Sequence, residues 1–316
     1  MILAPGLSIV IPAYKSAAAL PLLADRLRPV LQGLGQPHEV LFVNDGGPDE
    51  TWIAIQKLAS ENDWIRGICM MRNYGQHNAV LCGVRAARFS ITMTMDDDLQ
   101  HPPEEIPRLL AALTDDLDIV YAPPLHQQHG LLRDLASLIT KLALSSAMGT
   151  STARNVSAWR VFRTQLRDAF AACHSPLVNM DVLLTWASVR FGVQPLRHDP
   201  RTIGESNYTL GKLVRHALNM MTGFSVLPLQ LASVIGFAFT LFGIAVLVYV
   251  LGRYIITGNS VSGFPFLASI IAIFSGAQLF AIGIIGEYLA RMHLRIMEKP
   301  AYAVQAVTDD TLKSSS

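Results

Sequence analysis

The sequence predicts an α/β protein with a mostly parallel sheet, followed by a hairpin of two apolar helices near the C-terminus. Short apolar runs alternate with helix-length segments at the spacing of βαβ units. Near residue 226 the composition changes, and two long segments then carry no charged side chain. Three consecutive carboxylates, Asp96, Asp97 and Asp98, directly follow one of the apolar runs.

The composition restricts the class of protein. The 316 residues are enough for one large domain and an appendage. A net charge of +1 argues against wholesale nucleic-acid binding. A hydrophobic content of 51% with 16% charged residues is unusual for a soluble protein. Cys69, Cys82 and Cys173 fit neither a disulfide framework nor a metal motif, which indicates a reducing, cytosolic setting. The N-terminus lacks a basic region, so we expect no signal peptide.

The elements follow in order from the apolar pattern. Buried strands are predicted at residues 7–12, 39–43, 65–70 and 91–95. Helices are predicted at residues 17–34, with Ser16 as the N-cap, and at 51–61, 78–88 and 103–113. Beyond them we expect a strand at 118–122, a helix at 131–148, a strand at 156–162, a helix at 176–189 and an edge strand at 193–198. The helix at 131–148 has one apolar face, which suits either an ordinary surface helix or one at the membrane interface.

The loops after the first four strands should meet at one edge of the sheet. Ligands of open α/β sheets bind at the carboxyl ends of the strands, and Tyr14, Asp45, Asn73 and the acidic triplet all fall there. The sequence has no G-x-G-x-x-G and no Walker A motif, which argues against hydride transfer and against a P-loop NTPase.

The acidic triplet predicts a metal site. Adjacent carboxylates repel one another and need a counter-cation, and oxygen ligands favour Mg²⁺ or Mn²⁺. If residues 91–95 form a strand, Asp96 and Asp98 point to one side and Asp97 points away. Such a pair can hold an ion that also binds a diphosphate. The alternative is an acidic loop that caps the helix near Pro103.

Two segments, residues 226–252 and 263–286, are uncharged and exceed the roughly 20 residues that span a bilayer. The alternative is a buried hairpin in a soluble core. Basic residues flank the pair at both outer ends, so both ends should be cytoplasmic. The predicted division is a cytosolic catalytic domain at 1–206, an amphipathic juxtamembrane helix at 207–225, a transmembrane hairpin at 226–290 with spans at about 226–252 and 263–288, and a cytosolic tail at 291–316 that ends in disorder. Gly236, Gly243, Gly276 and Gly283 would let helices approach closely.

A diphosphate-and-metal site tethered to a membrane indicates a reaction between a soluble phosphorylated donor and a lipid acceptor. At this point the chain resembles family 2 glycosyltransferases of the GT-A type, and within them the polyprenyl-phosphate glycosyltransferases. The motifs that carry the resemblance are Ile9-Val-Ile-Pro-Ala-Tyr14, Val43-Asn-Asp-Gly46, Arg72-Asn-Tyr-Gly-Gln-His77, Asp96-Asp-Asp-Leu-Gln-His-Pro-Pro-Glu-Glu-Ile-Pro107, Arg201-Thr-Ile-Gly-Glu-Ser-Asn-Tyr208 and Gly286-Glu-Tyr-Leu-Ala-Arg291.

The resemblance implies a GT-A Rossmann-like sheet with flanking helices and interface helices, and it assigns roles to residues. A nucleotide pocket is implied at Pro12, Ala13, Tyr14, Asp45, Asn73, Gln76 and Asp97. Mg²⁺ or Mn²⁺ is expected on Asp96, Asp98 and Gln100, and the acceptor phosphate on Arg133, Ser137, Arg201 and Ser206. Asp96, Asp98 and Arg154 are the expected catalytic residues. The donor would be a nucleotide diphosphate sugar, with UDP favoured, and the acceptor a polyprenyl phosphate, with undecaprenyl phosphate favoured.

Several positions depart from the family pattern. Ser16 stands where a carboxylate near the ribose is usual, Asn44 replaces an acid, and Asn207 replaces a lysine. Arg154 stands in place of an acidic residue and Pro124 in place of an arginine, so we hypothesise that Arg154 replaces the lost charge. These changes leave open a catalytically impaired scaffold. A processive polysaccharide synthase is the other alternative, although only Trp159-Arg160 echoes its Gln-x-x-Arg-Trp signature, in reversed order.

The resemblance also implies an inner-membrane, multi-pass protein that forms a homotetramer, and the net charge of +1 argues against nucleic acid as a partner. His77 and His101 are expected to be hydrogen-bond partners within loops rather than metal ligands. Asp181 is expected on a helix surface or in a salt bridge, and a place in the pocket stays open.

Overall fold

The computed structural model describes residues 3–125, 155–199, 226–257 and 263–308. Five predicted site residues lie outside these ranges: Arg133, Ser137, Arg154, Arg201 and Ser206. The helices predicted at 131–148 and 207–225 lie outside them as well.

One sheet contains eight strands: β1 Ala4–Ala13, β2 His38–Asn44, β3 Ile65–Met70, β4 Phe89–Thr94, β5 Ile119–Tyr121, β6 Arg160–Arg163, β7 Phe191–Val193 and β8 Val304–Val307. Their spatial order is β7-β5-β6-β4-β1-β2-β3-β8. The central strands β4, β1, β2 and β3 are parallel. Strand β6 runs antiparallel to β4 and β5, and β8 runs antiparallel to β3. The predicted α/β class with a mostly parallel sheet is therefore confirmed.

The helices are α1 Ala19–Gly33, α2 Thr51–Glu61, α3 Gln76–Ala86, α4 Ile106–Ala111, α5 Met180–Ala187, α6 Leu227–Thr257 and α7 Phe264–Ile296. Short 3₁₀ turns at Pro103–Glu105 and Thr164–Phe170 join them. The predicted cap by Ser16 is wrong, because α1 begins at Ala19 and the Ser16 side chain bonds Asp97 instead. The strand predicted at 193–198 is shorter and earlier, and Pro195, which has no N–H to donate, follows it.

The two faces of the sheet have separate cores. Leu7, Ile9 and Ile11 of β1 pack toward α1 and α2, whereas Val10 packs toward α3 and α5. All four side chains are fully buried, as expected for a strand covered on both faces. Helix α3 lies close to β1 at Gly83, where a Cβ would fall 2.3 Å from Cγ1 of Val10.

A buried polar network closes the amino end of the sheet, opposite the predicted site. Glu39 accepts hydrogen bonds from the Ser8 hydroxyl (2.7 Å), the Arg88 backbone N–H (2.7 Å) and the Arg66 guanidinium. The Arg66 and Glu39 side chains are only 5% and 4% exposed. The network pairs the buried carboxylate with a buried guanidinium, as burial of a charge requires.

Replacing Glu39 with alanine should lower the free energy of unfolding by about 3–5 kcal/mol, because Arg66 would stay buried without its carboxylate. Denaturant unfolding of the detergent-solubilised protein would measure this loss. The matched control is Glu61→Ala, which removes the exposed pair with Lys57 (4.0 Å) and should cost less than about 1 kcal/mol. Equal losses in the two variants would contradict a structural role for the buried network.

The two long helices match the predicted hairpin. Segments Pro228–Ile256 and Ile273–Leu294 are long and apolar enough to cross a membrane, and neither apolar window is buried. Large side chains such as Phe237 (66% exposed) and Leu247 (57%) face outward, which contradicts the soluble-core alternative because soluble surfaces rarely carry such patches. Between the helices, Phe239 meets Phe274 edge to face at 5.5 Å.

After α7 the chain returns to the sheet. Strand β8 forms within the segment predicted as a tail, and Val307, where we placed the start of a disordered end, pairs with Ile68. Thr308 adds two bonds to Gly67, one from its backbone N–H (3.0 Å) and one to its hydroxyl (2.8 Å). Val304, at the start of β8, lies opposite Met70, the last residue of β3. The chain leaving the hairpin therefore reaches the sheet at the carboxyl ends of the parallel strands.

Candidate active site

A cleft of about 390 Å³ lies at the carboxyl ends of the central strands. Its walls include Pro12 from β1, Gln76 from α3, Thr94 and Asp96 from the end of β4, Arg160 from β6, and Asp181 from α5. Of the predicted loop residues only Asp96 lines this cleft, and the other two predicted regions reach it through the end of β1 and the start of α3 rather than through Tyr14 and Asn73. The fourth loop, which carries Asp45, contacts the loop after β3 beside the cleft.

The loop after β1 is tied to its neighbours through Ser16. The Ser16 backbone N–H donates to Oγ1 of Thr51 at 2.8 Å, and its hydroxyl donates to Oδ2 of Asp97. Burial raises the pKa of Asp97, although the Ser16 bond opposes that shift. The small Ser16 hydroxyl thus holds Asp97 in place, where the family pattern would put a second carboxylate. Tyr14 remains 43% exposed at the mouth of the loop.

Asp45 organises the loop after β3. Its two carboxylate oxygens accept the backbone N–H groups of Tyr74 (2.7 Å) and Gly75 (2.9 Å). Gly46 has φ +61°, and a Cβ there would lie 2.2 Å from the carbonyl carbon of Arg72, so only glycine fits. Burial raises the pKa of Asp45 to about 6, while the two N–H donors oppose the shift.

The raised pKa of Asp45 predicts a pH-dependent stability. The folded pKa of about 6 exceeds 3.8, the ordinary value of an aspartate, which the unfolded chain keeps. The stability that the protonated group contributes is therefore complete below pH 3.8 and is lost as the pH rises through 6. Between pH 5 and pH 7, the wild type should lose about 1 kcal/mol of unfolding free energy relative to Asp45→Asn. Denaturant unfolding of both proteins at several pH values measures this difference, and a pH-independent difference would contradict it.

The acidic triplet occupies a turn rather than a strand, because β4 ends at Thr94. Asp96 accepts from Nε2 of Gln76 at 2.6 Å, whereas Asp97 contacts Ser16 on the other side. Oδ1 of Asp98 accepts the Gln100 backbone N–H at 3.1 Å. Leu99 between them has φ +63°, an unusual conformation for a non-glycine residue that is concentrated at functional turns. The Asp96 and Asp97 side chains point in different directions, as predicted. The cause is the turn in the backbone and not the alternation of side chains along a strand.

His101 holds the backbone of this turn in place. Its Nδ1 accepts the Asp96 backbone N–H at 3.0 Å, and its ring stacks on Trp159 with centroids 5.0 Å apart. Burial, together with His198, lowers the pKa of His101 to about 3, so the neutral ring can accept at Nδ1. Nδ1 of His77 likewise accepts the Met180 backbone N–H at 3.3 Å. Both histidines are hydrogen-bond partners, as expected, but only His101 lies in a loop, whereas His77 lies in the first turn of α3.

The donor set of the turn fits a hard divalent ion. Within residues 3–125, 155–199, 226–257 and 263–308, no group of three or more His, Cys, Asp or Glu side chains could hold a metal. The predicted donor set is smaller: two carboxylates, Asp96 and Asp98, with the Gln100 side-chain amide. Mg²⁺ is commonly held in this way, by one or two carboxylates and the substrate's own phosphates.

Arg160 and Asp181 form a buried ion pair in the wall of the cleft, with side chains only 3% and 8% exposed. Nε of Arg160 also donates to the Thr94 hydroxyl at 3.0 Å, which in turn donates to the Ala158 carbonyl at 2.7 Å. Burial and the Asp181 carboxylate raise the pKa of the neighbouring Tyr121 well above its usual value. Of the alternatives for Asp181, the salt bridge is correct, and the residue also lines the cleft instead of the helix surface.

We did not select Arg160 as a site residue from the sequence. The available signal was a charged residue inside an apolar strand, next to Trp159, and an aspartate inside the apolar run around residues 178–184. Buried charges of this kind are almost always paired, and the fold brings this pair together.

A mixed sheet with helices on both faces, and an acidic turn after its fourth strand, define a GT-A glycosyltransferase fold. Glucosyl-3-phosphoglycerate synthase from Mycobacterium tuberculosis, solved with Mn²⁺, UDP and glucosyl-3-phosphoglycerate, shares this fold at a TM-score of 0.52. It is 18% identical and covers 69% of this chain and 78% of its own. A second structure of that enzyme, with Mn²⁺, UDP-glucose and phosphoglyceric acid, has a TM-score of 0.51.

Sequence comparison identifies the family. Residues 8–170 match the description Glycosyl transferase family 2. An undecaprenyl-phosphate 4-deoxy-4-formamido-L-arabinose transferase from Yersinia enterocolitica is 32% identical, over 95% of this chain and 93% of its own. The protein of the same name from Photorhabdus laumondii is 31% identical, over 96% and 94%. The chain belongs to glycosyl transferase family 2.

Proposed function

We propose that this protein transfers a sugar from a nucleotide diphosphate, with UDP favoured, to undecaprenyl phosphate at the membrane surface. The observation that carries the proposal is similarity over 95% of the chain, hairpin included, to relatives named for an undecaprenyl-phosphate acceptor. The fold supports it, because β8 brings the end of the hairpin to the carboxyl edge of the sheet. The cleft and the chain that leaves the hairpin therefore lie at the same edge of the sheet.

In this proposal the donor lies across the loops after β1 to β4. Pro12, Ala13, Tyr14, Asp45, Asn73, Gln76 and Asp97 form the nucleotide pocket. Asp45 is buried and Asp97 is half-buried. The hydrogen bonds already described hold both carboxylates in place, so they shape the pocket before the donor binds. Tyr14 is exposed and available to pack on the base.

The metal belongs on the diphosphate side. Mg²⁺ or Mn²⁺ held by Asp96, Asp98 and Gln100 would supply neutralisation of the charge that develops on the departing diphosphate. The residues of the chain around this site hold Asp96 in position. Gln76 fixes one oxygen of Asp96, and His101 fixes the backbone of the same residue. Mn²⁺ in the structures of the mycobacterial enzyme supports the choice of a divalent ion.

The reaction needs no strong base. A phosphate monoester is largely ionised at neutral pH, so its oxygen can attack the anomeric carbon directly. The new C–O bond forms as the bond to the nucleotide diphosphate breaks, and the leaving diphosphate takes the electron pair. One in-line displacement inverts the anomeric centre. We assign the acceptor phosphate to Arg133, Ser137, Arg201 and Ser206, with Arg154 as a further catalytic residue, because arginine suits bidentate phosphate binding.

The proposed topology places α6 and α7 across the inner membrane and the catalytic domain at residues 1–206 in the cytosol. The juxtamembrane segment 207–225 would lie along the cytoplasmic leaflet, and residues 291–316 would return to the cytosolic side. The proposed assembly is a homotetramer.

The decisive experiment is a panel of UDP- and GDP-sugars with undecaprenyl phosphate and Mg²⁺ or Mn²⁺. Mass spectrometry of the lipid fraction should show one monosaccharide-phosphate-lipid, and its formation should require the divalent ion. Release of nucleotide diphosphate should match the product in amount. Polymer instead of a lipid-linked monosaccharide would indicate a processive synthase. No release with any donor would favour a scaffold.

A further inference from the structure

A second cleft, of about 610 Å³, lies beside α5 on a face away from the candidate active site. Asp181 faces the active site, whereas Leu183 and Trp186 of the same helix line this second cleft. The helical repeat rotates both residues well away from Asp181. Phe170 and Leu183 form the buried part of the lining, and Trp186 stands at the rim.

Trp186 is unusually exposed. Its side chain is 56% exposed, whereas the other three tryptophans are buried or half-buried. Val189, two residues after the end of α5, is 80% exposed. Contiguous exposed apolar surface commonly marks a contact with a partner or a membrane.

The same cleft is continuous with the end of the second apolar helix. Glu298 lines it and lies two residues after Ile296, the last residue of α7. The apolar span ends at Leu294. The two helical residues to Ile296 and the two residues from there to Glu298 can place Glu298 at most about 10 Å from Leu294. Ile296 and Met297 in this connection are 75% and 64% exposed. The cleft therefore lies at the level where the chain would leave the bilayer.

We propose that Trp186 and the rim of this cleft rest in the phospholipid interface, so that the catalytic domain docks on the bilayer by a surface of its own. The inference rests on the membrane insertion of α6 and α7 in the proposed function. Tryptophan is enriched at this depth because its ring is apolar and its indole N–H is polar. The interfacial lipid is favoured over a protein partner because the surface continues directly from the end of a candidate span.

The test places an environment-sensitive NBD fluorophore at Trp186→Cys in the full chain, in nanodiscs of phosphatidylethanolamine and phosphatidylglycerol. The background carries Cys173→Ser, since Cys69 and Cys82 are buried. We expect blue-shifted emission that is quenched by lipids with a nitroxide near the headgroup. The matched control is Ile53→Cys on α2, which is 63% exposed and on the opposite face of the sheet, and it should keep water-like, unquenched emission.

Two outcomes would overturn the proposal: emission at position 186 like that at position 53, or a blue shift without quenching, which would indicate a protein cover. A label at Leu247→Cys in α6 tests insertion of the hairpin separately, because it must be quenched by nitroxides deep in the bilayer. Quenching at position 247 without quenching at position 186 would reject the interfacial contact of Trp186 and leave the membrane insertion of the hairpin standing. The readout needs no turnover, so a failed transferase assay leaves it unaffected.

Discussion

Asp98→Asn is expected to lower the turnover of the proposed transfer about a hundredfold or more, the usual consequence of removing one group that stabilises developing charge. Asparagine keeps an oxygen that can accept the Gln100 backbone N–H (3.1 Å), so the turn should persist while the negative charge is lost. The divalent ion would then be held by one carboxylate instead of two. Nucleotide diphosphate release, measured across a series of Mn²⁺ concentrations, should show both slower turnover and a higher metal requirement.

The control for this prediction is Asp63→Asn, at an exposed position between α2 and β3, which should keep wild-type turnover and metal requirement. Thermal unfolding of both variants should match the wild type. Asp97→Asn adds a further contrast, because its carboxylate faces Ser16 rather than Gln76. It should weaken donor binding without changing the metal requirement. An Asp98→Asn enzyme with unaltered metal dependence would remove Asp98 from the proposed ion site.

The central sheet was readable from the sequence because its strands are covered on both faces. Runs such as that of β1, buried from Gly6 to Ala13, have few polar interruptions and end in loops rich in glycine and acids. Helices α1 to α3 fill the spacing between them. If the strands are parallel, the residues that follow them lie at one edge of the sheet. The common edge of Tyr14, Gln76 and Asp96 could therefore be predicted without any side-chain geometry.

The remaining features depend on contacts that local pattern does not encode. Strand β8 has four residues and pairs with β3 across more than 200 positions of chain, so nothing nearby distinguishes it from a tail. The cap at Ser16 failed because α1 begins only at Ala19, and the Ser16 hydroxyl instead accepts the Tyr14 backbone N–H and donates to the distant carboxylate of Asp97. The pair of Arg160 and Asp181 joins a strand to a helix. Each charge stands inside an apolar run, but the sequence alone does not show that the two side chains meet.

Removing either member of the Arg160–Asp181 pair should destabilise the protein by about 3–5 kcal/mol, because each single variant leaves a charge buried without its partner. The side chains are 3% and 8% exposed, so water cannot compensate. Asp181→Ala leaves the guanidinium with neutral hydroxyls, those of Thr94 and Tyr121, and no carboxylate. Arg160→Met leaves the carboxylate beside Tyr121. Denaturant unfolding of the detergent-solubilised proteins measures both losses.

The double variant Arg160→Met/Asp181→Leu separates a structural role from a role in the reaction. Replacing both charges with apolar groups of similar size should restore most of the lost stability, as it often does for buried pairs. Turnover should stay low, because the wall of the cleft beside Asp96 would have lost its charges and the bond that orients Thr94. A double variant that recovers both stability and turnover would show that the pair only fills space. Two stable single variants would show that the charges are not truly buried.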